Sequence, residues 1–518
     1  MGAALALSSL ETTYAGGREY FEQIINALDF GGEGHSMDMS QLEREFEKRG
    51  RELLRILIQE HLTQRSSGEC KVPVFDSDGA KRTRTSDHDR KIETVFGRVE
   101  LNRTGYMKEE KKSLHPLDAE LNLSPGLYSL ELEHRVAQEA AKNSYEEVVK
   151  TITETTGGHV PKRQAEQLVQ HAAQDFDVFY DRRQCRPCEG KNTGAVLAIT
   201  VDGKGVVLHE KDLREDTRKA AEKRRQKMGK RLSKGEKKNA KRMATVAAVY
   251  TTACFERSPA DILFESDLVG IKRPPIENKR VWASLEKTPE EVIEDAFEEA
   301  LHRDPNHEKK WVALVDGNNT QIKILRRLAK AKGIDLTIIV DVIHVTEYLW
   351  EAGRAFYPKS GPELEKWVQH RLLKILHGKA GHMAGGMRRS ATRKGFSDKE
   401  REPVDKCATY LLNKSSYLGY NRYLAEGLPI GTGVIEGACR HLVKDRMEIT
   451  GAKWTLNGAE AVLRLRALRA SKDFDAYWTF HEECEYKRNH QAHYANGTVP
   501  SVTASKVPAM GSHLKIIK

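Results

Sequence analysis

Two aspartates of this sequence follow apolar runs that are typical of buried strands. Asp202 comes directly after AVLAITV at 195–201, and Asp316 comes directly after WVALV at 311–315. A glycine follows each aspartate, which lets the chain turn sharply and leave the carboxylate at the edge of a sheet. Open α/β sheets carry their sites at the carboxyl ends of strands. A single Asp-Gly pair is also a common turn, but two at matching strand ends favour a shared site.

A third acid, Glu436, lies far along the chain in a segment that predicts a helix. Arg440 and Lys444 follow it at intervals of four residues, so the three side chains share one helical face. That face is either a surface ladder of ion pairs or a metal ligand beside phosphate-binding cations. Carboxylate oxygens are the ligands that Mg²⁺ prefers. Two such ions, held about 4 Å apart, can activate a water or a 3′-hydroxyl for phosphoryl transfer.

The elements that must position these acids alternate between strands and amphipathic helices. Apolar runs predict strands at 195–201, 206–209, 244–250, 311–315 and 336–340. Helical periodicity marks 288–302 and 321–332 between them. Buried strands that alternate with helices indicate an α/β sheet covered on its faces. Residues 345–430 are mainly helical and polar.

Four stretches of the sequence carry a family resemblance. They are TVDGKG (200–205), WVALVDGN (311–318), IVDVIHVTEYLW (339–350) and PIGTGVIEGACRHLVKDRM (429–447). With them, the chain resembles the DDE transposases of bacterial insertion sequences, in the Kra-type group related to Mutator-like elements. The resemblance extends from about residue 90 to about residue 490, and the fourth stretch is its most specific part.

This resemblance implies a ribonuclease-H-like catalytic domain with a helical insertion between Asp316 and Glu436. It implies that Asp202, Asp316 and Glu436 hold two Mg²⁺ or Mn²⁺ ions and that the enzyme cuts transposon ends and joins them to target DNA. The expected partners are double-stranded DNA and further copies of the chain, at the nucleoid in the bacterial cytoplasm. Two other functions share these features: a non-catalytic DNA-binding protein descended from a transposase, and a ribonuclease-H-like nuclease that does not join strands.

Asp341 and His344 form a second pair of candidate site residues. His344 occupies the position of a paired Cys/Asp-and-His motif in related transposases, where it would orient a substrate phosphate. It can equally be a packed histidine at a strand-to-helix junction. Asp341 competes with Asp316 for the role of second metal ligand. The resemblance and the adjacent Gly317 favour Asp316.

Positive charge is concentrated in one segment. The chain has a formal net charge of +10, and residues 211–242 hold 15 Lys or Arg against 5 Asp or Glu, which is an equal excess. Clustered positive charge attracts the phosphate backbone of nucleic acids. We therefore expect DNA contacts from Arg224, Arg225, Lys230 and Arg231. The alternative is a solvated, highly charged helix.

Residues 144–172 predict two short helices with Gly157 and Gly158 between them, which fits a helix-turn-helix. Lys162 and Arg163 then begin the second helix, followed by Gln164, where base-contacting residues belong. An ordinary αα-hairpin is the alternative interpretation.

The composition is that of a globular chain, with 39% hydrophobic and 31% charged residues. No apolar run is long enough for a membrane span, and the first residues lack a signal-peptide pattern. Seven scattered cysteines favour a reducing compartment. Cys185 and Cys188 form an isolated CxxC pair, so we expect no structural zinc there.

The sequence predicts six regions. They are a helical region at 1–66, a small β element at 67–126, a DNA-binding region with a helix-turn-helix at 127–190, a catalytic domain of 191–344 and 431–484, a helical insertion at 345–430 and a loose tail at 485–518.

Overall fold

The computed structural model describes residues 14–29, 31–184, 193–223, 240–264 and 273–503. The chain divides into a first unit of Met1–Asp175 with Asp475–Lys518 and a second unit of Phe176–Phe474. Several residues with predicted roles lie outside the described residues, namely Cys185, Cys188, Arg224, Arg225, Lys230 and Arg231. Their roles stay predictions.

The first unit begins with two helices, continues through a small β region and then returns to helices. Its elements before Asp175 are α1 Ala15–Leu28, α2 Met39–Gln64, β1 Val74–Phe75, β2 Lys81–Arg82, β3 Arg84–Thr94, β4 Gly97–Lys108, β5 Lys111–Leu114, α3 Pro116–Glu120, α4 Leu130–Ala140, α5 Tyr145–Thr155 and α6 Lys162–Ala172. Side chains at Asp38, Ser129 and Ser144 cap α2, α4 and α5. Such caps satisfy amide donors that a first helical turn leaves unpaired.

The small β element predicted at 67–126 contains a long hairpin. β3 and β4 pair antiparallel along their whole length, and β5 pairs with β4. The chain turns at Val95 and Phe96, and Gly97 follows with a φ of +121°, which residues with a Cβ rarely adopt. Only the last three residues of β3 are buried. The rest of that strand is charged and lacks apolar alternation, which is why the sequence did not predict its length.

The second unit is built on a five-stranded sheet. Its elements are α7 Phe176–Gln184, β6 Val196–Val207, α8 Glu215–Lys223, β7 Lys241–Thr252, β8 Glu277–Ser284, α9 Pro289–Arg303, β9 Lys310–Val315, α10 Asn319–Ala331, β10 Leu336–Val340, α11 Val342–Phe356, α12 Pro362–Leu376, α13 Ala380–Arg393, α14 Asp398–Asn413, α15 Tyr420–Ala425, α16 Gly433–Ala438, α17 Asp445–Met447 and α18 Leu456–Ser471. A π-helical stretch, Cys439–Lys444, joins α16 to α17.

The strand order in this sheet is β10-β9-β6-β7-β8. The strands β6, β7 and β8 are antiparallel neighbours, whereas β9 runs parallel to β6 and β10 runs parallel to β9. The central strands are nearly all apolar and buried. Helix α9 packs on β6 and β7, α10 on β9 and β10, and α18 on β8. The second unit is therefore mixed α/β with a mixed sheet.

Two features of the sheet differ from the sequence prediction. Asp202 does not end a strand, because β6 continues through Gly203 and Gly205 to Val207, and both glycines are paired with β7. Strand β8 was not predicted, since Arg280 lies in its middle. That arginine is buried because Glu299 neutralises it and the ring of Tyr180 stacks on its guanidinium.

The last described α-helix is α19 Phe474–Asn489, and from Asp475 onward the chain belongs to the first unit. A loose tail was expected from residue 485, but the described residues up to 503 pack against the first unit. Tyr494 is 4% exposed and packs with Val74, Tyr106 and Leu114, and Val502 bridges to Cys70. One buried aromatic residue in a polar segment anchors this stretch, which is too little apolar pattern for a sequence prediction. Within the described residues, no helix is long and apolar enough to span a bilayer.

Candidate metal centre

Three aspartates lie at one edge of the sheet in the second unit. Val201 of β6 pairs with Val315 of β9, and Val315 pairs with Val340 of β10. Asp202, Asp316 and Asp341 each follow one of these paired valines. Because neighbouring strands lie about 4.8 Å apart, the register brings the three aspartates side by side.

The turn that carries Asp316 is held by backbone conformation and by α14. The Asp316 carboxylate accepts a hydrogen bond of 2.7 Å from the Asn318 amide, and the Tyr410 hydroxyl donates to the Asp316 carbonyl at 2.8 Å. Gly317 has a φ of +92°, and a Cβ there would lie 2.8 Å from the Tyr410 hydroxyl. Only glycine fits this turn without strain.

Asp341 is fully buried and fixes two elements at once. One carboxylate oxygen accepts from the Ile343 amide at 2.8 Å and so caps α11, while the other accepts from the Thr432 hydroxyl. The Val342 amide donates to the Ile430 carbonyl at 3.0 Å. Burial raises the pKa of Asp341, although the Thr432 hydrogen bond opposes that rise.

The helix that bears Glu436 is tied to the sheet edge at both ends. Thr432, which contacts Asp341, precedes α16, and its carbonyl accepts from the Glu436 amide at 3.1 Å. One turn beyond Glu436, the Cys439 thiol donates to the Asp202 carboxylate at 3.2 Å. Burial, and then the charge of Asp202, raise the pKa of Cys439, so it stays a thiol donor.

Glu436 lies beside Asp341 and His344. One ligand atom from each of these three residues lies within 4.8 Å of the other two. Burial and the charge of Asp341 raise the pKa of Glu436, with a smaller contribution from Asp202, while His344 opposes them. His344 also contacts Glu347 at 3.2 Å. The cluster concentrates negative charge in a partly desolvated place, which a bound cation would balance.

The predicted acids are therefore brought to one edge, but not equally close. Asp202 and Asp316 are neighbours through the strand register, and Asp202 reaches α16 through Cys439. Among the described residues, however, the cluster within 4.8 Å that contains Glu436 is completed by Asp341 and His344 rather than by Asp202 and Asp316. Asp341 was the competitor for the second ligand, and its own hydrogen bonds explain why it lies nearer to α16.

The predicted cations lie at the surface. Arg440 and Lys444 are exposed, and Arg440 lies 3.9 Å from Asp445. The stretch that carries them, Cys439–Lys444, is π-helical rather than α-helical as expected. In the first unit, Lys162 and Arg163 begin α6 and are exposed, with Lys162 paired to Glu146.

Four residues that support the site were missed in the sequence. Thr432 and Cys439 could have been found from the sequence, because both lie close to Glu436. Thr432 precedes the Glu436 helix, and Cys439 lies three residues after Glu436. Tyr410 had none, because 94 residues separate it from Asp316. Lys414, buried and hydrogen-bonded to Asn319 beside the Asp316 turn, was equally invisible.

Fold and site together define a mixed α/β protein with acidic side chains gathered at one sheet edge. No protein-family model matches the chain, and comparison with curated proteins finds no match.

Proposed function

We propose that this protein is a DDE transposase, an enzyme that cuts DNA at the ends of a mobile element and joins those ends to a target. One observation carries the proposal. Asp202 and Asp316 occupy equivalent positions on neighbouring parallel strands, and α16, with Glu436, is hydrogen-bonded to that same edge through Asp202 and Asp341.

The catalytic domain is assigned a ribonuclease-H-like fold. The mixed sheet supports this assignment, since its first three strands are antiparallel and its last two run parallel to the first. The helices of Val342–Ala425 support it as well, because they fill the interval between Asp316 and Glu436 where the family resemblance implies an insertion.

The donor chemistry at the edge fits hard divalent cations. Asp202, Asp316 and Glu436 offer carboxylate oxygens, which Mg²⁺ and Mn²⁺ prefer. Asp202 and Asp316 are partly exposed, as the ligands of an ion that also meets DNA must be. Asp341 is fully buried with both oxygens hydrogen-bonded, so it acts as a positioning residue. Two ions bound to the three acids would activate the attacking oxygen and stabilise the leaving oxygen.

The chain's own residues prepare this site. Thr432 and Cys439 hold α16 so that Glu436 faces the edge, and Tyr410 holds the turn of Asp316. His344, in reach of Glu436, is the residue that orients a phosphate of the substrate. Its imidazole can donate a hydrogen bond to a phosphate oxygen.

Double-stranded DNA is the partner in this proposal, both as transposon ends and as target. Arg440 and Lys444 would contact phosphates near the site, and the basic residues of 211–242 would hold the duplex without reading its sequence. Lys162 and Arg163 would contact the transposon ends. The enzyme would act as a homo-oligomer at the bacterial nucleoid.

A labelled-DNA assay tests the proposal. Duplexes from the DNA that flanks the gene carry a label at the 5′ end of the transferred strand and are incubated with the protein, Mg²⁺ and a supercoiled target plasmid. We expect cleaved ends first and then labelled plasmid, both dependent on Mg²⁺ or Mn²⁺. Cleaved ends without labelled plasmid would identify a nuclease that does not join strands, and binding without cleavage would identify a non-catalytic DNA-binding protein. Either outcome would overturn the proposal.

A further inference from the structure

A second cluster of acids and histidines lies inside the first unit, where α4, α6 and α19 meet. Glu133 of α4 and His481 of α19 are both 0% exposed, and His171 of α6 lies between them. One ligand atom from each lies within 4.8 Å of the other two. Two helices that are near in sequence and a third from far along the chain thus direct metal-binding side chains to one point.

Two of these side chains have buried atoms without a hydrogen-bond partner. They are His481 Nε2 and Glu133 Oε2. A buried polar atom that lacks a partner is costly, and such atoms commonly mark an ion or water site. Both belong to residues of the same cluster.

The hydrogen bond of His481 to Asp175 sets the histidine tautomer. His481 Nδ1 lies 2.7 Å from Asp175 Oδ2, and Arg488 donates to the other oxygen of Asp175. The carboxylate accepts the Nδ1–H of His481, so the lone pair is left on Nε2. A histidine that donates to a carboxylate through one nitrogen and offers the other is the usual arrangement of a metal ligand with its outer partner.

The charges around the cluster call for a cation. Glu133, Asp175 and Glu485 contribute three carboxylates, and Arg488 pairs with two of them. With neutral imidazoles, two negative charges stay unbalanced in a largely buried place. His171 lies 2.6 Å from Glu133 and 3.2 Å from Glu485 through its two ring nitrogens, so in the absence of an ion it bridges them as an imidazolium.

We propose that Glu133, His171 and His481 bind a divalent transition metal of the Zn²⁺ class. Two imidazole nitrogens and one carboxylate favour Zn²⁺ over Mg²⁺, which prefers oxygen ligands alone. Binding replaces the proton between His171 Nδ1 and Glu133, and His171 keeps its Nε2–H for Glu485. The ion fixes α19 to α4 and α6. His171 has a side chain that is 31% exposed, and this gives the ion a route from solvent.

This site is independent of the proposed transposase centre and of the cysteine pair for which no zinc is expected. Spacing could not reveal it, because His171 and His481 lie on helices separated by most of the chain.

Metal analysis of the full-length protein tests the proposal. The protein is stripped with a chelator, dialysed against micromolar Zn²⁺ and then measured for bound metal by mass spectrometry. We expect wild type to take up one Zn²⁺ at this site, and His481→Gln and Glu133→Gln to lose it. His134→Gln is the matched control, because His134 neighbours Glu133 on α4 and stacks on Trp478 outside the cluster. Asp202→Asn should keep the ion, which separates this site from the sheet edge.

X-ray absorption of the wild-type zinc complex gives a second test that does not depend on a variant that folds. Nitrogen and oxygen neighbours at about 2.0–2.1 Å are expected, with no sulfur at about 2.3 Å. Sulfur neighbours would show that cysteines bind the ion and would overturn the proposal. No uptake by wild type, or equal uptake by both cluster variants, would overturn it too.

Discussion

The hydroxyl of Thr432 donates a hydrogen bond to the buried carboxylate of Asp341, across 91 residues of sequence. Asp341 directly follows the last strand of the sheet, and Thr432 directly precedes the helix of Glu436. The contact therefore determines where Glu436 lies relative to the sheet edge. Thr432 and Asp341 therefore affect the site without touching a substrate, because their contact positions Glu436.

Thr432→Val should lower both stability and DNA cleavage. Valine keeps the shape of threonine but leaves an oxygen of the buried Asp341 without its donor. Loss of a hydrogen bond to a charged group costs about 1.5–3 kcal/mol, which denaturant unfolding can measure. Thr432→Ser retains the hydroxyl and should keep most of both properties. Equal stability and cleavage in the valine and serine variants would show that the Thr432 hydroxyl does not position Glu436.

Gly317→Ala should disturb the Asp316 turn more than an ordinary glycine substitution would. Its Cβ meets the Tyr410 hydroxyl at 2.8 Å, in addition to the cost of a φ of +92°. Gly333→Ala is a matched control, with a φ of +67° and nothing within 4 Å of its Cβ. The control should lose about 1–2 kcal/mol of unfolding free energy and keep its cleavage rate. Gly317→Ala should lose more stability and most of its cleavage, and equal losses in the two variants would contradict this description of the turn.

The stability of the metal-free first unit should depend on pH through His171. Burial opposes its positive charge, but Glu133 and Glu485 together raise its pKa from 6.5 to about 10. A raised pKa contributes stability that is complete below about pH 6.5 and is lost as the pH rises through about 10. With a chelator present, the melting temperature of wild type should fall across this window more steeply than that of His171→Gln. Parallel curves would mean that His171 is not protonated in this cluster.

The basic segment should bind DNA through phosphates alone. Replacement of Arg224, Arg225, Lys230 and Arg231 by alanine should weaken binding to cognate and random duplexes alike. Each lost phosphate contact should reduce the slope of log affinity against log salt by about 0.9. Titrations over a range of salt concentrations measure this. An unchanged slope would indicate that the segment is a solvated helix. A selective loss of cognate binding would indicate that base recognition lies in this segment rather than at Lys162 and Arg163.

The strands that flank the acids could be predicted from the sequence because they are buried on both faces. Residues 195–201, 244–250, 311–315 and 336–340 are apolar runs with at most one threonine each, and all but residue 195 lie within strands of the sheet. Strand β8 escaped prediction because its buried Arg280 is compensated by Glu299, a partner on another element. Gly203 and Gly205 suggested a turn, yet both lie in extended, paired backbone.

The types of the site residues were visible in the sequence, but the contacts among them were not. Cys439 reaches Asp202 across 237 residues, and no local pattern encodes such a contact. The same holds for Thr432 with Asp341. The π-helical stretch after α16 was not predicted either, because a spacing of four residues does not distinguish it from an α-helix.

The rate of DNA cleavage in a series of acid variants tests the central claim most directly. The series is Asp202→Asn, Asp316→Asn, Asp341→Asn and Glu436→Gln, with Asp335→Asn as an exposed control just before β10. Each variant is first checked for folding and DNA binding, and then for single-turnover cleavage with Mg²⁺. The changes at Asp202, Asp316 and Glu436 should abolish cleavage with binding intact. Asp341→Asn should keep a reduced rate, and Asp335→Asn should match wild type. Normal cleavage by Asp316→Asn, together with none by Asp341→Asn, would contradict the assigned ligands.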